Sequence, residues 1–304
     1  MRVMVTGSSG FIGSHVCRRL AASGHAVVRF DIASGVSLFD RPAIERAIAR
    51  VETVFHIAAQ PDLTRILLPA DGDAATDVNI VGTRNIASAC AARRVPLVYV
   101  STCCVYGDHA EAADEDLTIP KPVELYAFTK LAGEEIVRGY GANFGVQYTI
   151  LRIATAYGPG MRPALGVHVF LDQAFGGADI TVHGDGEQTR ALTYVEDIAD
   201  GIVSLLEHPE ASGQIINLAS EETISANQMA ADIRRIANST SRIVHIADRP
   251  NQIRHQHCSS DKARRLLGWQ ARTAWDEGLR KTVEWFAATR QSRAEDAMPI
   301  AAAR

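Results

Sequence analysis

Two side chains four residues apart hold the most suggestive chemistry in this sequence. Tyr126-Ala127-Phe128-Thr129-Lys130 sets a phenol and an ammonium at i and i+4, positions that share one face of a helix. A free phenol has a pKa of about 10 and is a poor base at neutral pH. A cation beside it favours the phenolate. Bringing the pKa near 7 takes roughly 4 kcal/mol of preferential stabilisation. Tyr126 could then take a hydroxyl proton in general-base fashion. Such spacing also arises by chance, and the plainer reading is a half-buried Tyr beside a surface Lys. Position argues for chemistry: the pair opens the helix after the buried strand 97–101 and its loop, and sites in parallel sheets lie beyond the carboxyl ends of the strands.

A second constellation is Thr6-Gly7-Ser8-Ser9-Gly10-Phe11-Ile12-Gly13. It follows a strand at 2–6 and opens a helix. Glycine there lets the backbone approach a pyrophosphate, and the helix amino end offers free N–H groups. Asp31 closes the next strand, where an acid suits the ribose 2′-hydroxyl of NAD and repels a 2′-phosphate. The alternative, a tight turn with an exposed acid, explains the glycines but not their company. NAD would also bring an oxidised nicotinamide, a second cation favouring the Tyr126 phenolate as hydride passes to it.

The elements that must position these groups alternate. Strands are expected at 2–6, 26–31, 53–57, 97–101 and 147–153. Helices are expected from 12 (Ile12, Val16 and Leu20 on one face), from Pro42 to 49, at 79–93 and at 125–143. That alternation predicts an α/β fold, a Rossmann-type doubly wound parallel sheet. The second half is less regular: short strands at 180–182 and 214–218, helices at 195–206, 225–237 (Ser225 and Gln228 as a capping box) and 275–288. It predicts a smaller mixed α/β C-terminal substrate-binding domain. Gly158-Pro159-Gly160 and Arg162-Pro163 mark the boundary, giving domains at 1–160 and 161–290, with parts of 189–218 rejoining the first. An unpatterned tail at 291–304 reads as disordered.

The chain has 304 residues, 31 basic and 35 acidic, for a formal charge of −4. Such a balance gives no footprint for nucleic acid, and no apolar run reaches the ~18 residues of a membrane span. Cys17, Cys90, Cys103, Cys104 and Cys258 show no metal or disulfide spacing, and no signal peptide opens the chain. These features read as a cytoplasmic enzyme without a metal.

The glycine spacing G-x-x-G-x-x-G, the Tyr126–Lys130 pair and Ser101-Thr102-Cys103-Cys104-Val105-Tyr106-Gly107 together resemble the extended short-chain dehydrogenase/reductases. The closer resemblance is to the NAD-dependent nucleotide-sugar epimerases and dehydratases, of the UDP-glucose 4-epimerase kind. Phe55-His56-Ile57-Ala58-Ala59, Asp77-Val78-Asn79-Ile80-Val81-Gly82-Thr83 and Gly184-Asp185-Gly186-Glu187-Gln188-Thr189-Arg190 continue it in order, as do Arg249-Pro250-Asn251-Gln252 and Leu266-Leu267-Gly268-Trp269. The resemblance implies an NAD site at Gly7, Gly10, Phe11, Ile12, Gly13, Asp31, Ala58, Ala59, Asn79, Ser101, Tyr126 and Lys130. It implies that Thr102 hydrogen-bonds the reacting sugar oxygen, and that Thr155, Arg190 and Arg249 contact the nucleotide sugar, the arginines through its diphosphate. It also implies a homodimer through helices near 83–92 and 126–140. His56 reads as a packed strand residue.

Three departures narrow the reading. Ser37-Leu38 stands where the family has Asp before an apolar residue. Ala154-Thr155 replaces Phe-Asn. Cys103-Cys104 replaces the Asp-Glu of 4,6-dehydratases, which argues against that dehydration. Cysteine at the first position resembles the Thr-Cys-Glu of apiose synthases, and cysteine at the second resembles GDP-mannose 3,5-epimerases. The expectation is therefore a nucleotide-sugar epimerase acting at C4 of a UDP-hexose, with Tyr126, Lys130 and Thr102 as the catalytic set. The alternatives are a dehydratase or C3/C5 epimerase using Cys103 or Cys104, and, from another class, a non-catalytic redox-sensing NAD-binding protein.

Overall fold

The strand runs of the first half are nearly all apolar, as a sheet covered on both faces requires. The computed structural model describes residues 1–61, 69–249 and 253–297. Strands β1 (Arg2–Thr6), β2 (Ala26–Phe30), β3 (Thr53–His56) and β4 (Leu97–Thr102) alternate with helices α1 (Phe11–Ala22), α2 (Arg41–Ile48), α3 (Pro69–Thr76) and α4 (Thr83–Arg93). After β5 (His109–Ala113) come α5 (Leu125–Phe144), β6 (Tyr148–Ile153), β7 (Thr155–Tyr157), α6 (Gly166–Gly176) and β8 (Ile180–His183). The chain continues through β9 (Thr189–Arg190), β10 (Leu192–Tyr194), α7 (Val195–Ser204), β11 (Ile215–Leu218), β12 (Ile224–Ser225) and α8 (Ala226–Ile236). It ends with β13 (Ile243–Ile246), β14 (His255–Cys258), α9 (Asp261–Leu267) and α10 (Trp275–Ala297).

The main sheet is six-stranded and parallel, in the order β11-β6-β4-β3-β1-β2. Alternate residues face opposite layers. Val3, Val5, Val98, Val100, Leu151 and Ile153 pack with α1 and α7, against Val16, Leu20, Ile198 and Ile202. Met4, Leu97, Tyr99 and Ile150 face the other way, onto Ile44, Ile48, Ile86 and Val137 of α2, α4 and α5. Each such aliphatic side chain contributes about 1.5–3 kcal/mol by burial. A separate core joins α6, α8 and α10 through Phe170, Leu171, Met229, Leu279 and Phe286. A mixed four-stranded sheet, β12-β9-β14-β5, lies beside it.

Several elements depart from the sequence reading. The expected helix at 79–93 begins earlier, at Pro69, and is interrupted by a widened turn at Asp77–Gly82 before α4. The last helix does not stop at 288 but runs to Ala297, across the first part of the expected tail; residues 298–304 lie outside those described. Of the capping box, Ser225 Oγ accepts from the Gln228 N–H at 3.1 Å. β11 is an edge strand of the main sheet although it follows the first elements of the second core. Strands β5, β7, β9, β10, β12, β13 and β14 were not anticipated; each spans five residues or fewer, and none carries a period long enough to read.

Candidate active site at the carboxyl ends of the strands

The glycine turn joins β1 to α1 with the geometry its sequence demands. Gly7 has φ +67, and a Cβ on it would sit 2.8 Å from the backbone of Ala58. A Cβ on Gly13 would run into the carbonyl of Gly7. No side chain caps α1 at Gly10, so the first N–H groups of that helix remain for an anion. Ser8 Oγ is buried here without a hydrogen-bond partner. Asp31 lies at the end of β2, its Oδ2 accepting from the Ser9 N–H and its Oδ1 from the Ala33 N–H, both at 2.9 Å. A glycine cradle with no room for side chains, free helix N–H groups and an orphaned buried hydroxyl fit a dinucleotide.

Beside this turn, β3 delivers His56 into a closed network. The Thr6 hydroxyl accepts from the N–H groups of Ile57 and Ala58, both at 3.1 Å, so its own proton goes to His56 Nδ1, 2.7 Å away. His56 therefore carries its proton on Nε2 and donates to Thr83 Oγ1 at 3.0 Å; Thr83 donates onward to the Asn79 carbonyl at 2.7 Å. Burial pushes the His56 pKa down to about 3, so the ring stays neutral. Asn79, just after the start of the widened turn, accepts from the Gln60 N–H at 2.8 Å and donates to Thr129 Oγ1 at 2.9 Å. Thr129 donates to the Tyr126 carbonyl at 2.7 Å. The loop after β3, with Ala58 and Ala59, is thereby tied to the helix that carries the tyrosine.

Tyr126 and Lys130 lie in the first two turns of α5. Burial pushes Lys130 down to about 7, against the opposing pull of the Glu134 carboxylate. Its ammonium stands 4.1 Å from the centre of the Tyr99 ring. Burial holds the Tyr126 phenol above its ordinary range, Cys104 adds to that, and the Arg162 guanidinium lowers it. Two additional cations, Lys130 at i+4 and a nicotinamide, are what such a phenol needs to ionise. One turn further along α5, the Glu134 carboxylate receives Ser101 Oγ at 2.5 Å and the Arg152 guanidinium at 2.7 Å. Both ions are almost wholly buried, so each requires the other.

The two adjacent cysteines part company. Cys103 is fully buried; its thiol donates to the Arg152 carbonyl at 3.3 Å and meets Cys258 behind the wall. Cys104 is half-buried and faces Tyr126, Glu124 and Arg190. Gln256 Nε2 donates to its sulfur at 3.2 Å. Thr102 Oγ1 accepts from the Cys104 N–H at 3.2 Å. Thr155 donates to Gln256 Oε1 at 2.8 Å.

Arg190 does not hang free in the pocket. Its guanidinium donates to the carbonyls of Ile253 at 2.7 Å and Thr189 at 2.8 Å, which ties β9 to the chain entering β14. Arg249 is exposed, and Pro250, Asn251 and Gln252 lie outside the described residues. Phe11 and Ile12, partly buried, open α1 and pack against the main core. The sequence reading missed Arg162, Glu124, Glu134 and Gln256. Glu134 was discoverable, because it continues the i+4 row of Tyr126 and Lys130. Gln256 was not, because nothing local marks it.

The model of the NAD dependent epimerase/dehydratase family matches residues 3–219 of the chain. UDP-glucose 4-epimerase of Mycolicibacterium smegmatis is 30% identical, the alignment covering 94% of this chain and 98% of that one. UDP-N-acetyl-alpha-D-glucosaminuronate decarboxylase of Bacillus cytotoxicus is 28% identical over 94% and 97%. Among solved structures, UDP-glucuronic acid 4-epimerase from Bacillus cereus, in complex with UDP-glucuronic acid and NAD, superposes with a TM-score of 0.89 at 28% identity, covering 95% of this chain and all of that one.

Proposed function

The chain belongs to the NAD-dependent epimerase/dehydratase family, and from that premise we propose that it is a nucleotide-sugar epimerase that inverts C4 of a UDP-hexose. The observation that carries this reading is the pairing of one ionisable phenol–ammonium set, Tyr126 and Lys130, with thiols rather than carboxylates at positions 103 and 104. Inversion through a 4-keto sugar needs one proton acceptor and no further acid or base. NAD, when bound, would supply the hydride acceptor and donor for C4. Tyr126 removes the C4 hydroxyl proton and later gives it back to the same oxygen. Lys130 favours the phenolate and offers its ammonium to the ribose. Thr102 hydrogen-bonds the reacting oxygen, and Arg190 and Arg249 serve the diphosphate. Between the two hydride steps the keto sugar turns its other face.

A second reading has its own support in Cys104, which lies near enough to Tyr126 to hold its phenol above the ordinary range. A thiol there could exchange a proton at C5 once C4 is oxidised, giving a dehydratase or a C3/C5 epimerase; Cys103, turned away from the pocket, offers no such group. We further propose a homodimer through α4 and α5, supported by the exposed Phe128 on the outer face of α5, and a cytoplasmic location, supported by five free thiols. Among the described residues no helix is long and apolar enough to cross a membrane.

The test is turnover of a UDP-, GDP- and dTDP-sugar panel in D₂O, read by NMR and mass spectrometry. A C4 epimer without solvent deuterium is expected. Deuterium on carbon, or loss of water, would overturn hydride return and make Cys104 the leading acid–base group.

A further inference from the structure

The two departures at positions 104 and 155 are one cluster, joined by a residue far from both in sequence. Gln256 is 2% exposed, and its strand is fixed between β9 and β5, with its carbonyl accepting from the Ala191 N–H at 3.0 Å. Its Oε1 receives the Thr155 hydroxyl and its Nε2 faces the Cys104 sulfur. The amide cannot translate, so the open variable is which end faces the sulfur. The oxygen takes the Thr155 hydroxyl proton, so the nitrogen faces Cys104, where it can only donate. A sulfur that accepts from this amide keeps its S–H for another acceptor.

We propose that Gln256 is a positioning residue that sets the hydrogen-bonding polarity of the substrate pocket: it makes the Cys104 sulfur an acceptor toward the protein and leaves the thiol proton for an oxygen of the sugar. The identity of that acceptor rests on the nucleotide-sugar reading; the orientation of the amide does not. Turned over, the amide would present its oxygen to the sulfur and consume the thiol proton. Besides Gln256 and Thr102, the groups facing Cys104 are Tyr126, Glu124 and Arg190, with Cys103 next in the chain. Glu124 disfavours a thiolate there and Arg190 favours it.

The test is the rate of Cys104 alkylation by iodoacetamide between pH 6.5 and 10 in the NAD-saturated protein, mapped by peptide mass spectrometry. The other four thiols are buried and serve as internal references. Gln256→Glu keeps the size of the side chain but puts an acceptor with negative charge at the sulfur. Alkylation should slow about tenfold at pH 8, equivalent to one pH unit of displacement. Gln256→Leu removes the donor without adding an acceptor and should slow it about threefold. Thr155→Val frees the amide to turn and should also slow it. With the preferred sugar, Gln256→Glu should raise KM severalfold more than it lowers kcat. A folded Gln256→Glu protein whose Cys104 alkylates like the parent overturns the proposal. If that variant does not melt cooperatively, an unchanged alkylation curve in Thr155→Val overturns it instead. The alkylation readout uses no sugar, so a failed C4-epimerase assay leaves the proposal standing.

Discussion

The two walls of the cleft are built differently. The cofactor wall is made of backbone: the turn at Gly7–Gly13, the amino end of α1 and the loop after β3, all supplied by the chain within its first sixty residues. The wall proposed for the substrate is made of side chains drawn from distant segments: Thr102 at the end of β4, Cys104 just after it, Thr155 on β7, Arg190 on β9 and Gln256 on β14. A wall of backbone tolerates no added atom but is indifferent to most side-chain identities. A wall of side chains can be rewritten one residue at a time, and two of the three departures of this chain from its family, at 103–104 and 154–155, fall there. Mutations should therefore act on binding and folding at the first wall and on reaction outcome at the second.

Tyr126 stands where the walls meet and should give the largest effect. Tyr126→Phe is expected to lower kcat by roughly a thousandfold while NAD affinity and the melting temperature stay close to the parent's. A comparable turnover in the variant would remove the phenol from the chemistry. Next is Gly13→Ala, which pushes a methyl into the Gly7 carbonyl. It should displace the turn, costing about 1–3 kcal/mol, and weaken NAD binding at least tenfold by calorimetry. An alanine variant that binds NAD normally would break the contrast between the walls.

The His56 network gives a third, pH-dependent test of the cofactor wall. The folded ring titrates at about 3, against about 6.5 in an unfolded chain. Below about 6.5 the unfolded state binds the extra proton, so stability present above that pH is lost as pH falls toward 3. The loss approaches 1.4 kcal/mol per pH unit. Denaturant titrations of the parent and of His56→Gln between pH 4 and 7.5 should differ in slope by that amount. Nitrogen NMR should find the proton on Nε2.

The smallest effect sharpens the comparison from the junction. Lys130 titrates at about 7 when folded and near 10.4 unfolded. The folded protein therefore releases this proton first, stability rises between those values, and the buried charge is a liability below them. Lys130→Met should be more stable than the parent at pH 6, by on the order of 1 kcal/mol, and should turn over far more slowly. A variant less stable at pH 6 would mean the ammonium is better solvated than its burial implies.

Legibility in the sequence followed the same division. The main sheet was readable because its strands, buried on both faces, are continuous apolar runs, and because helices between them repeat at i and i+4. The Tyr126–Lys130 pair and the glycine turn were readable because their geometry is local. The interruption at Asp77–Gly82 was hidden because Asn79, which sits in it, is fully used by partners elsewhere, Gln60 and Thr129. The strands of the small mixed sheet were hidden because runs this short have no usable period. The hold of Arg190 on the backbone carbonyls of Thr189 and Ile253 was hidden as well, because it is a contact between strands that no spacing encodes.

What the sequence determined by itself is the dinucleotide turn, the helical tyrosine–lysine pair and the parallel sheet that aligns them, since each depends on neighbours within one element or one turn. What only the tertiary structure decided is which of two adjacent cysteines faces the pocket. At the end of β4 consecutive side chains diverge, and their fates were set by Cys258 on one side and Gln256 on the other. Both come from β14, and only folding brings that strand alongside.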